Sequence, residues 1–150
     1  MAASLKLEPA VRRFLEGARV GRLATVDAAG RPSVVPICFA LQGARLFTPI
    51  DAKPKRSDWR RLQRVRNVLA QPAVAVVVDR WAEDWARLGW VHLRGQAALV
   101  ERGPLHAEGL ALLRAKYAQY LAMALEERAL IVVALSAATH WGDLSLPLEP

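Results

Sequence analysis

The chain has 150 residues, 53% of them apolar, a formal charge of +7 and one cysteine. That much apolar residue excludes a disordered chain and is enough for one packed core, while a single cysteine excludes an internal disulfide framework and suits a reducing cytoplasm. The longest apolar runs, AVAVVV (73–78) and ALIVVAL (129–135), fall far short of the roughly 20 residues of a membrane span, and MAASLKLEPAVRRF at the start lacks the apolar core of a signal peptide.

Val11, Phe14, Leu15 and Ala18 recur at helical spacing, so residues 8–18 are predicted to form an amphipathic helix, with Pro9 in its first turn. VGRLATVD follows as a strand, AAGR as a turn with Gly30 available for positive φ, and PSVVPICFAL as a second strand. QGA (42–44) turns the chain again and RLFTPI is a third strand, making an antiparallel meander. After DAKPKRS comes a helix over 58–70, with Leu62, Val65 and Leu69 as its apolar stripe and Arg60, Arg61, Arg64 and Arg66 around it, stopped by Gln71-Pro72. AVAVVVDRW (73–81) is apolar enough to be expected buried on both faces. AEDWARLG is a loop, and WVHLRGQAALV (90–100) alternates, with Val91, Leu93, Ala97 and Leu99 on one side. A long helix is expected over 104–127 with Leu110, Leu113, Tyr117, Tyr120 and Leu121 inward, then a sixth strand, ALIVVALSA, and an irregular tail. Six hairpin-linked strands with three helices predict a mainly β, α+β architecture: a six-stranded antiparallel split barrel with flanking helices, one domain over residues 1–150.

His92, His106, His140 and Cys38 do not pair at metal-ligand spacing, and Cys38 in its apolar strand is expected to be a small packed residue. No GxSxG turn, GxGxxG loop or GxxxxGK[ST] loop is present. The segment DAKPK (51–55) carries the clearest chemical signal. Pro54 drives Lys53 toward extended backbone, where Lys53 and Lys55 project to the same side. Ser57 or Asp58 then caps a helix whose free amides form a positive end, so two ammonium groups and a helix terminus converge as a phosphate site. A solvated basic loop is the bland alternative, and an Asp58 cap would compete for the same helix end. Pro36 in mid-strand predicts an edge or a bulge. Trp81, Trp85 and Trp90 cluster in and beside the 82–89 loop and Trp141 lies in the tail, as aromatics do at interfaces, over flat ligands or in a core.

The ordered set ARVGRLATVDAAGRPSVVPICFAL, RLFTPIDAKPK, RNVLAQPAVAVVVD and DWARLGWVHLRG, spanning about residues 8–140, resembles the pyridoxamine 5′-phosphate oxidase-like superfamily of FMN-binding split barrels, and within it the branch of coenzyme F420-dependent oxidoreductases. The resemblance implies a cytoplasmic homodimer with FMN or coenzyme F420 at the interface and hydride transfer with a small organic substrate. It implies that Val34, Val35 and Pro36 face the ring edge, that Thr48 bonds near the chain leading to the phosphate, that Lys53 and Lys55 take the phosphate, and that Trp141 comes from the partner subunit. The ring performs the transfer, so no catalytic side chain and no metal is assigned. The second strand, VVPICF, lacks the basic residues that the oxidase proper carries there, which argues against vitamin B6 oxidation. The alternatives are a flavin or haem carrier or sensor without turnover, and a nucleic-acid binder using the arginines of helix 58–70. The latter lacks a helix-turn-helix partner and a stacking sheet.

Overall fold

Apolar residues at helical spacing open the fold. In the computed structural model, which describes residues 5–50 and 58–147, α1 (Pro9–Gly17) buries Val11, Phe14 and Leu15. β1 (Gly21–Val26) and β2 (Pro32–Ile37) form a hairpin. Its turn is closed by Asp27, whose Oδ1 accepts from the amides of Ala29 and Arg31, both at 2.9 Å, and Gly30 has φ +82°. β3 (Ala40–Gln42) and β4 (Arg45–Pro49) form the next hairpin. Then come α2 (Gln63–Ala70), β5 (Ala73–Arg80), β6 (Gly89–Val100), α3 (Pro104–Lys116) and β7 (Leu130–Gly142).

All seven strands join one antiparallel sheet in the order β2-β1-β5-β6-β7-β4-β3. Its two edges, β2 and β3, are neighbours in the chain, separated only by Cys38 and Phe39. Such a sheet must curl into a barrel. A seam is left between β2 and the β3–β4 hairpin, where no ladder bonds close the wall. The interior is filled by Leu23, Phe39, Leu46, Leu93, Ile131 and Val133, capped by Phe14 and Leu15 of α1. α3 packs outside on Phe47, Leu130 and Val132. At Gly109 a side-chain carbon would lie 2.6 Å from the Phe47 ring, so glycine permits the close approach.

The strand count rises from the expected six to seven because PSVVPICFAL breaks at Cys38-Phe39, where the chain crosses the seam. Other boundaries also differ. The final strand continues to Gly142, because the apparently irregular THW pairs with β6, Trp141 opposite Trp90. The region expected as helix 104–127 is α3 plus a 3₁₀ turn, Ala118–Ala122, in which Leu121 is exposed. Helix 58–70 is a 3₁₀ turn, Trp59–Arg61, followed by α2; Leu69 is exposed and the inward positions are Val65, Asn67 and Val68. β5 is not buried on both faces. Val74, Val76 and Val78 point to the core, and Ala75 and Val77 lie half-buried on an outer face. That outer face continues in register through Ala24, Val34 and Pro36.

Arg80 ties the β5–β6 connection to the C-terminal tail. Its buried guanidinium donates to the carbonyls of Arg87, Leu146 (3.1 Å) and Asp143 (2.7 Å). Hydrogen bonds from a charged donor contribute about 1.5–3 kcal/mol each, and removing the donor strands its acceptors. Arg80→Met should therefore lower unfolding free energy by at least about 2 kcal/mol, measured as a fall in urea midpoint at constant m-value.

Candidate functional site at the barrel seam

The seam opens as a cleft of about 370 Å³. Alternation along β2 turns Val35 toward it; Pro36, Ile37 and Cys38 continue this wall, and Thr48 and Pro49 of β4 form the other. Arg19, from the α1–β1 connection, and Arg64, from α2, bring positive charge to the rim, and Tyr120 contributes an aromatic edge. Thr48 is buried, at 1% exposure. Among the described residues β2 pairs with β1 alone, so Pro36 occupies an edge strand, where proline is tolerated.

Of the residues expected at a binding site, Val35, Pro36 and Thr48 thus meet at one cleft. Val34 points the other way, 65% exposed on the outer sheet face. Trp141 is 52% exposed beside Trp90 and away from this chain's own cleft. Lys53 and Lys55 lie outside the described residues; the chain leaves Ile50, directly after the Thr48–Pro49 wall, and returns at Asp58. Asp58 does act as a cap, accepting from the Arg60 amide at 3.1 Å, but on the 3₁₀ turn and not on α2. Arg60 is held by Glu101 at 3.2 Å and stacks on Trp59, its carbon 4.3 Å from the ring centre.

Sequence reasoning missed what stands behind the seam. The Tyr117 hydroxyl accepts from the Phe39 amide (3.1 Å) and donates to the Arg19 carbonyl (3.0 Å), pinning both ends of the cleft wall to α3. Burial holds its pKa above the usual tyrosine value, with the Phe39 amide opposing. The Lys116 ammonium lies 4.0 Å from the centre of the Phe39 ring and donates to the Leu15 carbonyl at 3.3 Å. Burial, and next the Arg19 charge, push its pKa down to about 8. Tyr117 was legible as an inward residue of α3, but nothing in the sequence pairs it with Arg19, 98 residues away.

A second hollow, about 640 Å³, lies between the Asp27–Arg31 turn and α2, lined by Arg31, Ser33, Gln63 and Arg66. Its floor is the buried Asn67, which donates to Thr25 Oγ1 (2.9 Å) and accepts from Gln63 (2.7 Å). Among the described residues no three His, Cys, Asp or Glu side chains group to hold a metal ion. His106 is buried, 2.7 Å from the Arg128 carbonyl, and lines no part of the seam. Among the described residues no helix is long and apolar enough to cross a membrane.

A curled antiparallel sheet with an open seam, apolar strand walls and a cationic rim defines a split barrel with a cleft at its seam. The chain belongs to the pyridoxamine 5′-phosphate oxidase family, whose profile matches residues 7–142. No curated protein sequence matches it significantly. Among solved structures it is similar to HutZ, the haem storage protein of Vibrio cholerae (20% identity, TM-score 0.69, covering 92% of this chain and 95% of that one). It is similar to the conserved hypothetical protein Rv2991 of Mycobacterium tuberculosis (17% identity, TM-score 0.74, 100% and 94%). It is also similar to an F420 reductase (28% identity, TM-score 0.60, 85% and 94%).

Lys116 generates a pH prediction. Its folded pKa, about 8, lies below the ordinary lysine value of 10.5. Between those values the unfolded chain holds more protons, so stability rises with pH. The penalty is fully present below pH 8 and relieved as pH climbs toward 10. Tyr117, shifted upward, contributes the opposite slope only above its unfolded value of 10. Chemical denaturation of wild type and Lys116→Met from pH 7 to 10 should show wild type gaining stability relative to the variant as pH rises from about 8 toward 10; parallel curves would place Lys116 in water.

Proposed function

We propose that this protein is a flavin- or deazaflavin-dependent oxidoreductase. It works as a cytoplasmic homodimer, holding FMN or coenzyme F420 in the seam and passing hydride to or from a small organic substrate. The observation that carries this reading is the convergence of Val35, Pro36 and Thr48 on one cleft whose wall leads directly into DAKPK. Its volume, about 370 Å³, falls within the range of small-molecule sites. The donor set suits such a group: an apolar strip for a flat ring, a hydroxyl, and cations for a phosphorylated tail. Membership of the pyridoxamine 5′-phosphate oxidase family supports a flavin-type group, and the 28% identity to an F420 reductase supports the deazaflavin form.

When bound, the ring supplies the hydride donor or acceptor. The chain's own residues orient it. Val35 and Pro36 provide apolar contact, and the outward backbone groups of the edge strand β2 are available to polar ring atoms. The Thr48 hydroxyl takes the linking chain, and Lys53 and Lys55 take the phosphate. The outer sheet face, with Ala24, Val34, Ala75 and Val77 in its centre, suits a second copy of the chain. That partner brings Trp141 to the cofactor. A carrier of haem or flavin without turnover is the second reading, favoured by the likeness to HutZ. The nucleic-acid reading loses ground, because Arg60 is engaged by Asp58 (3.5 Å) and Glu101 (3.2 Å).

Titration of purified protein with FMN and coenzyme F420, followed by absorbance and fluorescence, separates these readings. Saturable binding of either is expected, and a Soret band on haem addition with indifference to both flavins would overturn the oxidoreductase. Lys53→Glu with Lys55→Glu should weaken the bound cofactor by at least about tenfold, the loss of roughly 1.4 kcal/mol. Val34→Asp should convert a dimer to a monomer in sedimentation and weaken cofactor binding with it. A dimer that persists would move the interface off this face.

A further inference from the structure

We propose that Arg19 is an anion-recognition residue of the seam, its guanidinium taking a carboxylate or phosphate oxygen of the molecule bound there. This rests on the seam being the ligand cleft. Arg19 lines that cleft from the α1–β1 connection.

Three contacts preorganise it. The guanidinium carbon sits 4.5 Å from the centre of the Tyr117 ring. One Nη1 hydrogen goes to the Lys116 carbonyl at 2.9 Å, at the C-terminal end of α3, where carbonyls lack intrahelical donors. The Arg19 carbonyl accepts from the Tyr117 hydroxyl at 3.0 Å. Main chain and side chain are thus both fastened to α3, so less freedom is lost when a ligand arrives. The remaining donors form a planar fork suited to carboxylate and phosphate.

The charge around Arg19 is unbalanced. Arg12, Arg22, Arg31, Arg60 and Arg114 each pair with a carboxylate; among the described residues Arg19 does not. A second cation acts on it, Lys116, whose ammonium lies against the Phe39 and Tyr117 rings and the Leu15 carbonyl. Glu16 is the carboxylate that acts on this lysine, and it already faces Arg12 at 3.9 Å. Burial first, and the Arg19 charge second, lower the Lys116 pKa. Two cations held together beside a ligand-sized opening are stabilised by an anion entering it.

The anionic group has two possible owners: the cofactor, or the molecule that exchanges hydride with it. Arg19→Gln and Arg19→Lys in the full chain, titrated with FMN and riboflavin, separate them, because these ligands differ by the phosphate. Benzoate added to FMN-loaded protein and read in the flavin spectrum probes the substrate side. Loss of about tenfold in FMN affinity with riboflavin unchanged assigns Arg19 to the cofactor; unchanged FMN with a tenfold loss for benzoate assigns it to the substrate. Arg19→Lys should recover part of either loss. Changes below twofold in all three would overturn the proposal while leaving the seam as a flavin site.

A flavin-independent readout covers the case in which wild type binds no flavin. Inorganic phosphate should raise the Lys116 titration midpoint in wild type, followed by NMR of ¹³C-dimethylated lysines, and leave it in place in Arg19→Gln. The same response in both proteins would also overturn the proposal.

Discussion

The architecture depends on a length constraint. The edge strands β2 and β3 are joined through Cys38 and Phe39 alone, three chain steps that reach at most about 11 Å. A flat seven-stranded sheet would hold its edges about 29 Å apart, six spacings of roughly 4.8 Å. The chain therefore cannot satisfy its ladders and stay flat. The sheet curls, the apolar faces of all seven strands meet around Phe39 and Leu46, and the wall is left unladdered where β2 turns into β3. The barrel and its cleft are one consequence of the same short link.

The opening is stiffened from behind. Tyr117, directly after α3, bonds the Phe39 amide and the Arg19 carbonyl, so side-chain bonds brace the wall of the seam where ladder bonds are missing. Phe39 takes part twice, as barrel core and as the ring beneath the Lys116 ammonium. Packing and electrostatics meet at the same residues. Arg19 on the rim is held by the Tyr117 ring face and the Lys116 carbonyl.

Much of this was readable along the chain. The meander, Pro36 on an edge, the inward row of β6 and the helical stripe of α1 all follow from local periodicity and turn chemistry. The errors share a cause. Leu69 and Leu121 were placed inward by spacing, yet each helix turns out short and broken by a 3₁₀ turn, which rotates the stripe away from the core. THW reads as tail because it shows no apolar alternation, although Thr and Trp favour strands; its pairing with His92–Trp90 comes from the long partner strand β6.

For the candidate site, the amino-acid sequence by itself determined the strand walls and the position of DAKPK after the third β run, since both depend on contiguous residues. Only the tertiary structure decided that Val35 and Pro36 line one cleft with Thr48 while Val34 does not; strand parity alone groups Pro36 with Val34, and the curl of the sheet at the end of β2 decides otherwise. It alone brought Arg19 to Tyr117 and Lys116. Nearly a hundred residues separate these partners, and at such range only packing decides who meets, since no sequence period extends that far.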